Sequence, residues 1–245
     1  MSAAGAGTAW QQPGLVGVFL DQRQTLLPLI DIQEDLLARL LSRSERPLRR
    51  FLDVGCGDGA MSELVLRVAP GAEAVLLDYS EPMLARAADR FGSSPNWQAV
   101  RGDLRESRWR EGLPGGDYDL VVSGYAIHHL PAERKRELFK EIRALLAPGG
   151  MFVNMDFVSV SGPLTGVFDE QLVANAIAAE RRSEGARSDE QVERDLLADG
   201  DDDQPDSAEE QVRWLGQAGF GDAEVHFKWA EAAIFGAVNP AGGSD

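Results

Sequence analysis

From about residue 48 onward, short apolar runs alternate with longer amphipathic stretches, and the period changes at turn residues. Leu48, Phe51, Leu52 and Val54 read as a buried strand. Residues 60–68 follow with helical spacing, and 74–77 form a second apolar run ended by Asp78. Residues 82–91 predict a helix with Ser80 as its N-cap and Pro82 in its first turn. Residues 97–100 and 118–123 read as strands three and four. A helix over 132–146 is closed by Pro148-Gly149-Gly150, and 152–157 is strand five. Strands that alternate with helices imply a parallel sheet covered on both faces. Ligands in such sheets bind at the carboxyl ends of the strands.

The flanks follow other patterns. Ile32, Leu36, Leu37, Leu40 and Leu41 lie at helical spacing, and Pro28 separates them from Phe19, Leu26 and Leu27. Two short helices are expected, the second N-capped by Asp31. Residues 1–45 then form a helical cap, 46–158 with 207–240 the core, and 159–206 a helical lid. The lid carries Leu164, Val167, Phe168, Leu172, Val173 and Ile177, and a second helix over 191–197. Asp199-Gly200-Asp201-Asp202-Asp203 reads as a solvated, mobile loop without calcium-loop spacing, so no metal site is expected.

The chemistry gathers at Gly55-Cys56-Gly57-Asp58-Gly59, where strand one turns into a helix. Glycine accepts φ > 0 and lets a ligand approach bare backbone. The helix behind it points free N–H groups at that ligand. Gly55-x-Gly57-x-x-Ala60, with Asp78 23 residues after Gly55, fits a loose dinucleotide fingerprint. The same residues fit S-adenosylmethionine. Charge separates the two: Asp53 and Asp58 beside a pyrophosphate would cost energy, whereas a sulfonium and an ammonium would welcome them. Asp53, Asp78 and Asp103 end three successive strands, which one ligand explains best. Asp78 can accept both ribose hydroxyls, Asp103 the adenine amino group, and Asp53, or the backbone it orders, can face the ammonium.

Composition narrows the partners. The chain has 245 residues, a net charge of −16, 44% hydrophobic and 26% charged residues. That charge opposes nucleic-acid binding, and Arg134-Lys135-Arg136 reads as a solvated helix face. Cys56 is the one cysteine. No intrachain disulfide can form, so a reducing cytoplasm is the expected location, and Cys56 is there for its small size. Neither a signal peptide nor a membrane span is apparent. Nothing in the sequence sets the oligomeric state.

In combination these stretches resemble the class I S-adenosylmethionine-dependent methyltransferases. The matching segments are Leu52-Asp53-Val54-Gly55-Cys56-Gly57-Asp58-Gly59, Leu77-Asp78-Tyr79-Ser80 with Met83-Leu84, Gly102-Asp103-Leu104, residues 118–123, Ala126-Ile127-His128-His129-Leu130 and residues 146–150. The resemblance implies a Rossmann-like, seven-stranded, mostly parallel sheet with the last strand antiparallel, its closing hairpin at 224–229 and 232–238. It implies S-adenosylmethionine as cofactor, with Gly55, Cys56 and Gly57 at the methionine portion, Asp78 on the ribose, and Tyr79 or Met83 against adenine. Gly102, Asp103 and Leu104 fall at the adenine edge, and Ser123 near the amino group. Gly124-Tyr125 departs from the usual small or apolar pair, which puts Tyr125 toward the substrate. Arg23 is a candidate for the cofactor carboxylate.

Methyl transfer asks mainly for alignment and exclusion of water. A base is needed only where the nucleophile holds its proton. His128, His129 and Asp156 are the candidates, and His129 also serves as a cofactor wall; His226 reads as structural. The expected enzyme methylates an oxygen or nitrogen of a small molecule. The alternatives are a tRNA-modifying relative and a nicotinamide-dependent oxidoreductase.

Overall fold

The computed structural model describes residues 27–182, 187–197 and 203–241. Seven strands form one sheet: β1 (Arg50–Val54), β2 (Glu73–Asp78), β3 (Trp97–Arg101), β4 (Tyr118–Gly124), β5 (Leu146–Phe157), β6 (Gly221–Trp229) and β7 (Ala232–Val238). Their order is β3-β2-β1-β4-β5-β7-β6. β1 to β5 are parallel, and β7 runs antiparallel between β5 and β6. The chain is therefore an α/β protein with a Rossmann-like sheet, as its alternating pattern predicts.

The helices are α1 (Ile30–Ser42), α2 (Ala60–Val68), α3 (Glu81–Phe91), α4 (Ala132–Leu145), α5 (Val167–Glu180), α6 (Asp189–Leu197) and α7 (Ala208–Gln217). One core layer joins Phe51, Leu76 and Leu120 to Leu37, Leu64, Phe168 and Val192. The other joins Leu52, Val75 and Val121 to Phe139, Ile142, Trp214 and Leu215. Successive residues of a strand point to opposite faces, so a strand covered on both sides is apolar almost throughout. Each large side chain buried this way stabilises the fold by about 1.5–3 kcal/mol.

Several boundaries move. α1 starts after Leu29 in a left-handed conformation (φ 56°), and Asp31 sits in its first turn instead of capping it. Pro148-Gly149-Gly150 lies within β5, where Gly149 takes φ 79° at an irregularity, instead of closing α4. Caps elsewhere follow the sequence. Ser80 accepts from Met83 N at 3.4 Å, and Ser207 from Glu210 N at 3.2 Å. The first predicted cap helix and Arg23 lie outside the described residues.

The basic cluster on α4 is not a solvated face. Lys135 is fully buried, with Nζ donating to Gln204 O and to Asp206 Oδ2 at 2.7 Å. Arg134 is also buried; its guanidinium donates to Leu104 O at 2.7 Å and Glu141 Oε2 at 2.6 Å. Only Arg136 faces outward, over the Trp214 ring. A long amphipathic side chain with a desolvated head needs such partners, and these come from distant segments.

Candidate active site

Strands β1, β2 and β3 end at one level. Gly55 N donates to Leu77 O at 2.8 Å, and Gly102 N to Asp78 O at 3.0 Å. Beyond them lies the glycine turn, with φ of 69°, 53° and 81° at Gly55, Gly57 and Gly59. At Gly55 space is missing as well. A Cβ there would stand 2.4 Å from Ala126 Cβ. Gly55→Ala is therefore expected to lower the thermal midpoint by several degrees, since left-handed backbone alone costs an L-residue about 1–2 kcal/mol. Gly71→Ala, with open space around it, is the control. Equal midpoints for the two variants would contradict the assignment.

Asp78 faces this turn. Its Oδ2 accepts from Gly57 N at 2.9 Å and its Oδ1 from Ser80 N at 2.8 Å. Burial pushes its pKa up, against the pull of these backbone donors and that of Tyr79. Gly57 N, Ser80 N and Tyr79 N are three backbone donors to a carboxylate whose two oxygens offer about four acceptor positions. Ribose hydroxyls can occupy and share what remains. Met83, buried at the start of α3, stands with Sδ 4.0 Å from a Cβ built at Gly57.

The other acids have partners within the chain. Asp53 is fully buried, and Ser62 Oγ of α2 donates to it at 2.7 Å. It ties the turn to the helix. Asp58 pairs with Arg90 Nη2, and Arg90 Nε also donates to Asp58 O at 2.9 Å. The electrostatic objection to a pyrophosphate here therefore loses much of its force, because one of its two charges is neutralised locally. Asp103 receives the Arg105 guanidinium, at 2.6 Å from Nη2. Burial would raise its pKa, and the Arg105 bonds outweigh this and lower it. The same guanidinium lies over the Tyr79 ring, 5.0 Å from its centroid. Gly102 is required by packing, since a Cβ would meet Trp109 O at 2.6 Å. Leu104 is buried, and its carbonyl accepts from Arg134. Ser123 Oγ donates to Val54 O at 2.9 Å and locks β4 to β1. Burial, then the nearby Asp53, Asp78 and Asp58 carboxylates, push the Cys56 thiol well up, which keeps it protonated and unreactive.

Past β4, Tyr125 adopts φ 53°, rare for a bulky side chain. Its hydroxyl donates to Gln33 Oε1 at 2.8 Å, and its ring lies 4.9 Å from Phe157. Tyr125 thus joins the strand end to α1. Next, Ile127–His129 forms a 3-10 turn. His128 is buried, with Nδ1 2.6 Å from Asp156 Oδ1. Asp156 also accepts from His128 N at 3.0 Å, Asn154 Nδ2 at 3.1 Å and Phe157 N at 2.9 Å. Burial would lower the His128 pKa; the Asp156 carboxylate, helped by Asp203, overrides this and lifts it to about 9. An imidazole already protonated at neutral pH has no lone pair to offer, so this arrangement makes His128 a poor general base. Asp156 is its holder.

His129 is partly exposed, with Nδ1 2.8 Å from Asp203 Oδ1. Asp203 therefore does not behave as a member of a solvated acidic run. Burial opposes its ionisation, and the bonds to His128 and His129 outweigh that and hold its pKa well below the usual carboxylate range. The sequence carried no signal for this pairing, because the partners lie far apart along the chain. The fold also brings His128, His129 and Asp203 within 4.8 Å of one another, a grouping that sequence spacing does not show. The lid helices are packed down: Phe168 and Val192 are buried, and Phe168 N donates to Glu231 Oε2 at 3.0 Å.

Residues 52–152 match the family model of a methyltransferase domain. The chain carries a class I S-adenosylmethionine-dependent methyltransferase domain. The match covers the glycine turn, Asp78, the histidine turn and most of β5. This methyltransferase domain is 36% identical over 111 residues to an uncharacterized methyltransferase of Mycobacterium tuberculosis, covering 45% of this chain and 51% of that one. It is 29% identical over 108 residues to the ornithine lipid N-methyltransferase of Singulisphaera acidiphila, covering 42% and 55%. The chain thus spans about half the length of the curated relatives it matches. A solved O-methyltransferase family 2 protein of Planctomyces limnophilus, in complex with apigenin, shares the fold at TM-score 0.63 and 16% identity, covering 97% of this chain and 63% of that one. Among the described residues no helix is long and apolar enough to cross a membrane.

Proposed function

We propose that this chain transfers the methyl group of S-adenosylmethionine to an oxygen or nitrogen of a small molecule in the cytoplasm. The observation that carries the reading is Asp78, fixed by Gly57 N and Ser80 N at the end of β2 and facing a turn whose three glycines all take positive φ. The cofactor supplies a methyl group on a cationic sulfur, already activated for displacement. Gly55, Cys56 and Gly57 would line its methionine portion, Asp78 would take the ribose hydroxyls, and Tyr79, Met83, Gly102, Asp103 and Leu104 would surround the adenine. Asp103 keeps a carboxylate near that edge, steadied by Arg105. Asp53 and Ser123 act through the backbone they fix.

The chain's own contribution to the reaction is alignment and dryness. α1, held by Tyr125, and the lid helices wall the acceptor from water. The acceptor's proton, where one must leave, goes to His129, which Asp203 orients through Nδ1. A relative that methylates nitrogen fits this plan as well as one that methylates oxygen.

A tRNA acceptor is disfavoured by the net charge of −16 and by the burial of Arg134 and Lys135, which takes two cations of the 134–136 cluster off the surface. Incubation with methyl-labelled S-adenosylmethionine and a panel of small hydroxy acids, phenols and amines, alongside bulk tRNA, tests this. Label is expected in a small acceptor and absent from tRNA. Label in tRNA alone would overturn the reading.

A further inference from the structure

We propose that His128, His129 and Asp203 form a site for a first-row divalent cation of borderline softness, for which Zn2+ is the probe. Nothing in this depends on methyl transfer.

The three residues offer two imidazole nitrogens, that of His128 once the ion displaces its Nε2 proton, and one carboxylate oxygen, all within 4.8 Å. That donor set suits Zn2+ and its neighbours and is poor for Mg2+ or Ca2+, which take oxygen ligands. His128 Nε2 lies 3.5 Å from Asp203 Oδ1. Two ligand atoms at about 2.0–2.1 Å from one tetrahedral ion are roughly 3.4 Å apart, so this pair already has the spacing. The His129–Asp203 distance of 2.8 Å is a hydrogen-bond length and would open by a fraction of an ångström.

Orientation is the stronger argument. A metal-ligating histidine almost always gives its other ring nitrogen to a carboxylate or carbonyl, which fixes the ring. His128 does so: Nδ1 is held by Asp156, itself buried and bonded to Asn154 and to two backbone N–H groups. The ring is thereby locked with Nε2 toward Asp203. Asp203 is placed from its own side. Gln204 N donates to His128 O at 2.9 Å, and buried Lys135 grips Gln204 O and Asp206. The ligands therefore come preorganised from two segments far apart in the chain. His129 and Asp203 each keep about a third of their side chains exposed, which gives the ion a way in.

The same three groups can also be held together by shared protons alone, and the experiment separates the two accounts. Untagged, chelator-stripped protein is titrated calorimetrically with Zn2+, with Mg2+ and Ca2+ as controls, and Co2+ loading is followed by its visible absorption. One Zn2+ per chain is expected, at about 1 µM or tighter. His129→Ala and Asp203→Asn should each weaken it at least about 10-fold, and Asp156→Asn about 10–100-fold through the ring it orients. His226→Ala removes the histidine outside the cluster and should change nothing. His129 and Asp203 are partly exposed, so circular dichroism should show both variants folded. Failure of the native protein to take up one Zn2+ would overturn the proposal. So would native-like affinity in folded His129→Ala and Asp203→Asn, or equal weakening by His226→Ala.

Discussion

Asp78→Ala is expected to weaken S-adenosylhomocysteine binding by about 100-fold or more. The carboxylate would accept two ribose hydroxyls, and hydrogen bonds to a charged group contribute about 1.5–3 kcal/mol each. Two at the lower figure give roughly 3 kcal/mol, or about two powers of ten in affinity. The substitution also strips acceptors from Gly57 N and Ser80 N, so the turn itself loosens. Asp78→Asn should bind poorly for a different reason. One of its atoms becomes a donor and meets a backbone N–H head-on. Calorimetry well below the thermal midpoint of each variant checks both. Native affinity in folded Asp78→Ala would end the ribose assignment.

The second large effect concerns the segment beneath the histidines. Asp206→Ala should cost about 3–5 kcal/mol of stability, because it takes the carboxylate from the ammonium of fully buried Lys135 and leaves the Gln204 carbonyl to hold it. At about 2–4 °C per kcal/mol for a chain of this size, the midpoint falls by roughly 6 °C or more. Adding Lys135→Met to Asp206→Ala should restore most of the loss, since replacing both members of a buried pair with well-packed apolar groups is often near neutral. Arg136→Ala, at a half-exposed position on the same helix, should shift the midpoint less. A midpoint for Asp206→Ala within a degree of native would show that the pair is solvated in solution.

Much of the frame was legible in the sequence because it follows from period and punctuation. β1, β2 and β4 are apolar on both faces, and glycine, proline and serine mark where each element begins or ends. The exceptions have local causes. Pro148 and Gly149 look like a helix stop, yet parallel pairing of β4 with β5 begins at Tyr118 and Leu146 and carries the strand through an irregularity. The site was legible where it is built from contiguous motifs, as at Gly55–Gly59 with Asp78. It was not where a side chain's role depends on a partner from elsewhere. Asp58 reads as ligand-facing until Arg90 is placed against it. Lys135 reads as solvated until residues 204–206 come down over it. Asp203 reads as one of a run of acids until it meets His128 and His129. A charge pattern shows what a residue can do; only tertiary contact shows whether another group has already claimed it.

Because Asp58 is neutralised by Arg90, acidity around the turn no longer rules out a nicotinamide dinucleotide by itself, and since a ribose-binding Asp78 suits either cofactor, the assignment rests on the family of residues 52–152. Calorimetric titration of the native protein with S-adenosylhomocysteine and, separately, with NAD addresses this directly. The expected result is one S-adenosylhomocysteine per chain and no heat of binding with NAD. Binding of NAD without S-adenosylhomocysteine would contradict the account.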